Sequence, residues 1–140
     1  MPDKLSLLII EDNAAERALI DVALDDFPSV DRRMVSSLCE AQREIDARPP
    51  DVALLDLELP DARGLEGVGW LQRRNPDLPI VVLSGFGADD LLVASEAVGL
   101  GAQDFLGKSR LAGSELMRTL QLAKMRKQRE IHSLSTALRD

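Results

Sequence analysis

Short apolar runs alternate with helix-like segments along the whole of this 140-residue chain. The strongest runs are Leu5–Ile10, Val52–Asp56 and Ile80–Ser84, and each of them is almost continuously apolar. Strands that lack alternating polarity are typical of parallel sheets covered by helices on both faces. The alternation of such strands with helices therefore predicts an α/β fold.

The chain is predicted to contain five strand-helix units. Weaker strands are expected at residues 30–36 and 104–106. A first helix, capped by Asn13, is indicated by apolar residues at positions 15, 18, 19, 22 and 23, and its apolar face is expected to carry them. Further helices are predicted before Pro49, at residues 65–74, through Leu91 to Val98, and from a start at residues 109–111. Five units are too few for an eight-stranded barrel, so we predict an open, doubly wound parallel sheet.

Composition narrows the classes of function. The 24 acidic and 17 basic residues give a formal charge of −7, which argues against direct binding to nucleic acid. A single cysteine, Cys39, rules out an internal disulfide framework and a thiolate metal site, and it is typical of a cytoplasmic protein. The first apolar run is too short for a signal or membrane segment, so no membrane insertion is expected.

The charge is unevenly distributed between two parts of the chain. Residues 1–107 carry 9 Lys and Arg against 21 Asp and Glu, a net −12, whereas residues 108–140 carry 8 against 3, a net +5. We expect one domain at 1–125 and a helical extension or linker at 126–140. Heptad spacing in the last helix favours a coiled-coil dimer, although two lysines interrupt the seam, and the alternative is a solvated basic helix. The apolar heptad positions are Met117, Leu120, Ile131, Leu134 and Leu138.

Carboxylates follow two of the strongest strands. Glu11 and Asp12 come after the first strand, and Asp56 ends the third. The carboxyl ends of parallel strands meet at one edge of the sheet, and a hard cation such as Mg²⁺ or Mn²⁺ would convert the repulsion of these acids into binding. An aspartate is also a known nucleophile for forming an acyl phosphate. Ser84 and Lys108 end or follow the next two strands and are suited to hold phosphoryl oxygens.

Four motifs in the same order carry a family resemblance. They are Ile9-Ile10-Glu11-Asp12-Asn13, Asp56 with Pro60 and Gly64, Leu83-Ser84-Gly85, and Gly101-Ala102-Gln103-Asp104-Phe105-Leu106-Gly107-Lys108. Over roughly residues 4–125 the chain resembles the receiver domain of bacterial two-component response regulators. The resemblance implies a CheY-like fold with strand order 2-1-3-4-5.

The resemblance also implies a role for each site residue. Asp56 would accept a phosphoryl group from a histidine kinase or phosphotransfer protein, and the chain would catalyse no reaction other than its own phosphorylation and dephosphorylation. Partners would further include a second copy, bound through the last helix or the face formed by the fourth helix, fifth strand and fifth helix, and an output domain outside this chain. The implied roles are metal binding by Glu11, Asp12, Asp56 and the Glu58 carbonyl, phosphate contact by Ser84, Lys108 and the backbone of Leu57 and Gly85, and switching by Ser84 and Phe105.

One departure keeps other readings open. The family usually has proline after the lysine, often with a cis peptide, whereas Ser109 follows Lys108 here. A degenerate receiver that binds partners without phosphorylation is therefore a second hypothesis. A phosphatase of the haloacid-dehalogenase type is a third hypothesis. Such an enzyme has a pair of aspartates, two residues apart, near its first strand. In this chain Asp56 lies on the third strand, and Glu58 occupies the position of the second aspartate.

Overall fold

The computed structural model describes residues 4–85, 90–108 and 111–139. Within these ranges, five parallel strands form one sheet, and two short strands form a separate antiparallel pair. The strands are β1 (Leu5–Ile10), β2 (Val30–Val35), β3 (Val52–Asp56), β4 (Glu58–Leu59), β5 (Ala62–Arg63), β6 (Ile80–Ser84) and β7 (Asp104–Gly107). The large sheet has the order β2-β1-β3-β6-β7. The predicted order is confirmed, because the β4-β5 hairpin lies in the segment expected to be a loop and only shifts the numbering.

Helices cover both faces of this sheet, as a doubly wound fold requires. They are α1 (Ala14–Leu24), α2 (Leu38–Ala47), α3 (Glu66–Arg74), α4 (Asp90–Gly99) and α5 (Gly113–Arg139). Successive residues of a strand point to opposite faces. Leu7 of β1 therefore joins a core with residues of α1 and α5, whereas Leu8 joins a core with residues of α2, α3 and α4.

The predicted apolar face of α1 is wrong. Leu19 and Val22 are 59% and 68% exposed, whereas Ile20 and Leu24 are buried in the core. The helix contains two apolar stripes at helical spacing, and the larger Ile20 and Leu24 pair packs on the sheet. Glu16 lies one turn before Ile20 on the same stripe, so the observed rotation directs it toward the carboxyl edge of the sheet.

The last helix begins at Gly113, later than predicted. A Cβ atom at this position would lie 2.2 Å from the carbonyl oxygen of Ala23 and 2.9 Å from the Phe27 ring. Glycine therefore permits the start of α5 to pack directly on the end of α1. Ser109, and with it the question of a cis peptide after Lys108, lies outside the described residues.

Helix α5 is continuous for 27 residues, about 40 Å. Met117 and Leu120 are buried in the domain core, whereas Ile131, Leu134 and Leu138 are exposed. The predicted heptad seam is thus divided between the core and the solvent-facing end of one helix. No helix in the described part of the chain is long and apolar enough to cross a membrane.

Candidate functional site

Three carboxylates meet at the carboxyl edge of the central strands. Because β1 and β3 pair with Ile10 opposite Leu55, the chain brings Glu11 and Asp56 out side by side. Each of Glu11, Asp12 and Asp56 offers an oxygen within 4.8 Å of the others. Glu11 and Asp56 are 1% and 4% exposed, whereas Asp12 faces solvent. Two acids are therefore held away from water beside a third that remains accessible.

Lys108 reaches this acidic group from the far edge of the sheet. It follows β7, and its side chain extends past the end of β6 to place Nζ 2.9 Å from Asp56 Oδ1. The same nitrogen lies 3.6 Å from Glu11 Oε1 and 2.6 Å from Glu16 Oε2. Partial burial acts to lower the pKa of Lys108, but the hydrogen bonds to Glu16 and Asp56 outweigh it and raise that pKa. The ammonium is therefore charged throughout the physiological range.

Two carboxyl groups near Lys108, those of Glu11 and Glu16, have shifted pKa values. Burial, with the neighbouring carboxyl groups of Glu16 and Asp56, raises the pKa of Glu11 to about 8, and the charge of Lys108 opposes this shift only in part. Although partial burial acts in the other direction, the hydrogen bond from Lys108 lowers the pKa of Glu16. In the absence of a cation, Glu11 is therefore the carboxyl group that retains its proton near neutral pH.

The donor set fits a hard divalent cation. The candidate ligands are all oxygens, as Mg²⁺ and Mn²⁺ prefer. Among the described residues, Glu11 Oε1 is a buried oxygen without a hydrogen-bond partner, since Lys108 lies beyond hydrogen-bond distance at 3.6 Å. A buried oxygen of this kind carries a desolvation penalty that a bound cation would offset. The site thus has the chemistry and an unsatisfied ligand atom for a metal.

Two connected spaces open onto Asp56. The larger is a groove of about 800 Å³ that extends from Asp12 and Glu16 past Asp56 to the β4-β5 hairpin. The smaller, of about 140 Å³, is lined by Glu16, Asp56, Leu57, Glu58, Ser84, Gly85 and Lys108. The structure therefore brings Asp56, Ser84 and Lys108, which end or follow three different strands, around one small space.

The remaining candidates lie around this space. Ser84 is buried at the end of β6, next in line after Leu83, which pairs with Asp56. Leu57 is buried in the core, and Glu58 is exposed at the start of the hairpin. Phe105 is half-buried against the core beneath α2, α3 and α4, away from the acids. Its packing explains its burial, and its switching role stays a prediction.

With this geometry established, comparison with known proteins is informative. The sequence model of the response regulator receiver domain matches residues 7–121. The chain belongs to this family. The receiver domain is 38% identical to the photosynthetic apparatus regulatory protein RegA of Cereibacter sphaeroides over 103 residues, which are 74% of this chain and 54% of RegA.

Two further relatives show how far the likeness extends. The protein-glutamate methylesterase/protein-glutamine glutaminase of Treponema denticola is 33% identical over 116 residues, 81% of this chain and 30% of that enzyme. The receiver domain thus spans about half or less of these curated relatives. The solved receiver domain of a putative LuxO repressor from Vibrio parahaemolyticus has a TM-score of 0.76 at 24% identity, over 93% of this chain and 97% of that one. This likeness confirms the fold.

Sequence reasoning missed two residues of the receiver domain's site. Glu16 is the nearest anionic partner of Lys108, and Arg17 anchors the start of α1 by donating to the Glu11 carbonyl and to Ser36 Oγ. The spacing Asn13-x-x-Glu16 is typical of a capping box, in which the glutamate would accept from the Asn13 N–H. Here that N–H donates to Glu11 instead, at 3.4 Å. The capping-box spacing therefore gave no indication that Glu16 contacts Lys108, which lies 92 residues away in the sequence.

Proposed function

We propose that this receiver domain accepts a phosphoryl group on Asp56 from the phosphohistidine of a histidine kinase or phosphotransfer protein. The contact between Lys108 Nζ and Asp56 Oδ1, at 2.9 Å beside Glu11 and Asp12, is the observation that carries the proposal. A carboxylate that is paired with a fixed cation and opens onto a small polar cavity is arranged for in-line attack.

The reaction conserves atoms and charge. An Asp56 oxygen attacks phosphorus, the oxygen-phosphorus bond forms, and the bond from phosphorus to the histidine nitrogen breaks. The electron pair of that bond leaves with the imidazole, which takes a proton from solvent. Lys108 then lies beside the new phosphoryl oxygens, and Ser84 and the backbone of Leu57 and Gly85 line the cavity that would receive them.

Glu11, Asp12, Asp56 and the carbonyl of Glu58 would hold Mg²⁺ or Mn²⁺. The bound cation would offset the negative charge of the incoming phosphoryl group. Support comes from the converging carboxylates and from the unsatisfied Glu11 oxygen.

Phosphorylation would then change the face formed by α4, β7 and α5. Ser84 borders the phosphoryl cavity at the end of β6, and Phe105 lies on β7, the adjacent strand, with Val82 as its partner in the sheet register. We propose that movement of Ser84 toward the phosphoryl group is passed to Phe105 and shifts a pre-existing equilibrium of this face. Such a face would bind a second copy or an output domain, in a cytoplasmic signalling pathway.

A phosphorylation-independent module is the competing hypothesis, and the described structure gives it no specific support. This hypothesis arose because Ser109, not the family's usual proline, follows Lys108, yet the Lys108 ammonium contacts Asp56 directly. Asp56, Ser84 and Lys108 line the same cavity. Glu11 and Asp12 each offer a carboxylate oxygen within 4.8 Å of one on Asp56.

The deciding experiment is incubation with acetyl phosphate and Mg²⁺, followed by intact mass measurement. We expect one phosphoryl adduct in the wild type and none in Asp56→Asn. Asp77→Asn, which changes an exposed aspartate between α3 and β6, is the matched control and should be modified like the wild type. Absence of an adduct from the wild type, with intact folding by circular dichroism, would favour the partner-binding hypothesis.

A further inference from the structure

Glu16 holds the Lys108 ammonium more closely than the proposed phosphate acceptor does. Its Oε2 lies 2.6 Å from Nζ, compared with 2.9 Å for Asp56 Oδ1 and 3.6 Å for Glu11 Oε1. The first two are short, charge-assisted contacts, whereas the third is an ion pair without a hydrogen bond. In the free protein the lysine is therefore shared between Glu16 and Asp56.

The backbone around Glu16 is fixed from both sides. Asn13 caps α1 by accepting from the Glu16 N–H at 3.0 Å. The next residue, Arg17, donates to the Glu11 carbonyl and to Ser36 Oγ, which ties the first turn of α1 to the ends of β1 and β2. Glu16 therefore cannot leave the site by a rotation of the helix without breaking these bonds.

Glu16 also borders the space that a phosphoryl group would enter. The cavity of about 140 Å³ is lined by Glu16 together with Asp56, Ser84 and Lys108. When Asp56 is phosphorylated, the negative charge of its carboxylate is lost and the phosphoryl oxygens bring new negative charge to the same place. Glu16 then remains as a full negative charge on the same ammonium.

We propose that Glu16 is a positioning residue that competes with the phosphoryl group for Lys108 and so weakens acceptance of phosphate at Asp56. It aligns the ammonium in the free state, but contact between Lys108 and a phosphoryl oxygen requires that the Glu16 contact be shared or released. This inference rests on the proposed function of Asp56.

The charge of Glu16 determines how strongly this residue weakens the binding of a phosphoryl group. Repulsion between unit charges about 6 Å apart, screened by an effective dielectric constant of about 40 at this water-accessible edge, corresponds to about tenfold in affinity. Replacement of Glu16 by Gln keeps the length and a hydrogen-bond acceptor for Lys108 but removes the charge. The variant is therefore expected to bind a phosphoryl group more tightly, whereas a variant that merely loosened the fold would bind it less tightly.

Beryllofluoride, which mimics a phosphoryl group, provides the test. The full chain is titrated with beryllofluoride in saturating Mg²⁺, and affinity is measured by calorimetry and by NMR shifts. We expect Glu16→Gln to bind about tenfold more tightly than the wild type. Glu16→Asp, which retains the charge, should stay within about threefold of the wild type. Glu40→Gln is the matched control, because Glu40 lies in the first turn of α2 and the same charge is removed there.

The outcomes separate the two proposals. Equal or weaker binding by Glu16→Gln, with wild-type binding that Asp56→Asn abolishes, would overturn the role of Glu16 and leave that of Asp56 intact. Tighter binding by Glu16→Asp or Glu40→Gln, equal to that of Glu16→Gln, would likewise overturn the argument from charge at this position. Wild-type binding that Asp56→Asn leaves unchanged, or that is absent, would contradict the proposed function itself and this inference with it.

Discussion

The buried Glu11 carboxyl should make the metal-free protein less stable as the pH rises from 5 to 8. Its pKa is about 8 in the folded chain, against an ordinary value of 4.5. Between these values the folded protein retains a proton that the unfolded chain has lost. The free energy of unfolding therefore decreases with increasing pH, in the direction opposite to that of a salt-bridged carboxylate.

The size of this effect follows from the pKa difference. Each pKa unit corresponds to about 1.4 kcal/mol, and Glu11 is half ionised where the pH equals its pKa, so the interval from pH 5 to pH 8 should cost about 3.5 kcal/mol of stability. Among the described residues, the other two groups with shifted pKa values do not contribute in this interval. The pKa of Glu16 is lowered, so its stabilisation is lost only in acid below its ordinary value, and the pKa of Lys108 is raised, so its stabilisation is lost only in strong alkali.

Urea unfolding in EDTA at pH 5, 6, 7 and 8 measures the effect, with the fluorescence of the single tryptophan as the signal. At an m-value of about 2 kcal/mol/M, the midpoint should decrease by about 1.8 M across this interval. Glu11→Gln should abolish the decrease. Stability that is constant or increases from pH 5 to pH 8 in the wild type would refute the reasoning.

Saturating Mg²⁺ should remove this decrease, because Glu11 would then be ionised in the folded protein as it is in the unfolded chain. A bound cation favours the ionised carboxylate, so binding displaces the Glu11 proton and the affinity for Mg²⁺ should rise with pH up to about 8. Calorimetric titration with Mg²⁺ at pH 6 and pH 8 measures this, and a pH-independent affinity would contradict a role of Glu11 in the metal site.

Two further predictions concern the fold and the assembly. Gly113→Ala should destabilise the protein by about 1–3 kcal/mol, because the added Cβ would overlap the Ala23 carbonyl. Gly99→Ala is the control and should not destabilise it, because the space around the added methyl group is open. Equal urea midpoints for the two variants would contradict the close α1-α5 packing. The exposed Leu134 and Leu138 near the end of α5 are predicted to pack against a second copy. Replacement of both by Lys should then lower the mass measured by light scattering from dimer to monomer, and an unchanged mass would contradict a coiled-coil dimer.

The central strands could be predicted closely from the sequence. The predicted bounds Val52–Asp56 and Ile80–Ser84 agree with those observed, because a continuous apolar run between polar residues leaves little freedom in where a buried strand ends. The acids that follow such strands could also be placed at one edge, since parallel strands share the direction of their carboxyl ends. The family assignment followed from the same residues and is confirmed by the match over residues 7–121.

The rotation of α1 and the start of α5 could not be predicted. Leu19 and Val22 fit a helical stripe as well as Ile20 and Leu24 do, and only packing on the sheet selects the second pair. The start of α5 at Gly113 depends on the approach of the Ala23 carbonyl, which local sequence does not encode.

The sequence by itself determined the alternation of elements, the doubly wound topology and the set of acids at the ends of β1 and β3, because apolar periodicity and strand direction are local properties. Only the tertiary structure decided how Lys108 is partnered. Contacts between residues 92 positions apart depend on the rotation of one helix and the path of one side chain across the sheet edge. That packing brings Glu16 into contact with Lys108, and Glu16 thereby becomes a candidate to compete with the phosphoryl group for this lysine.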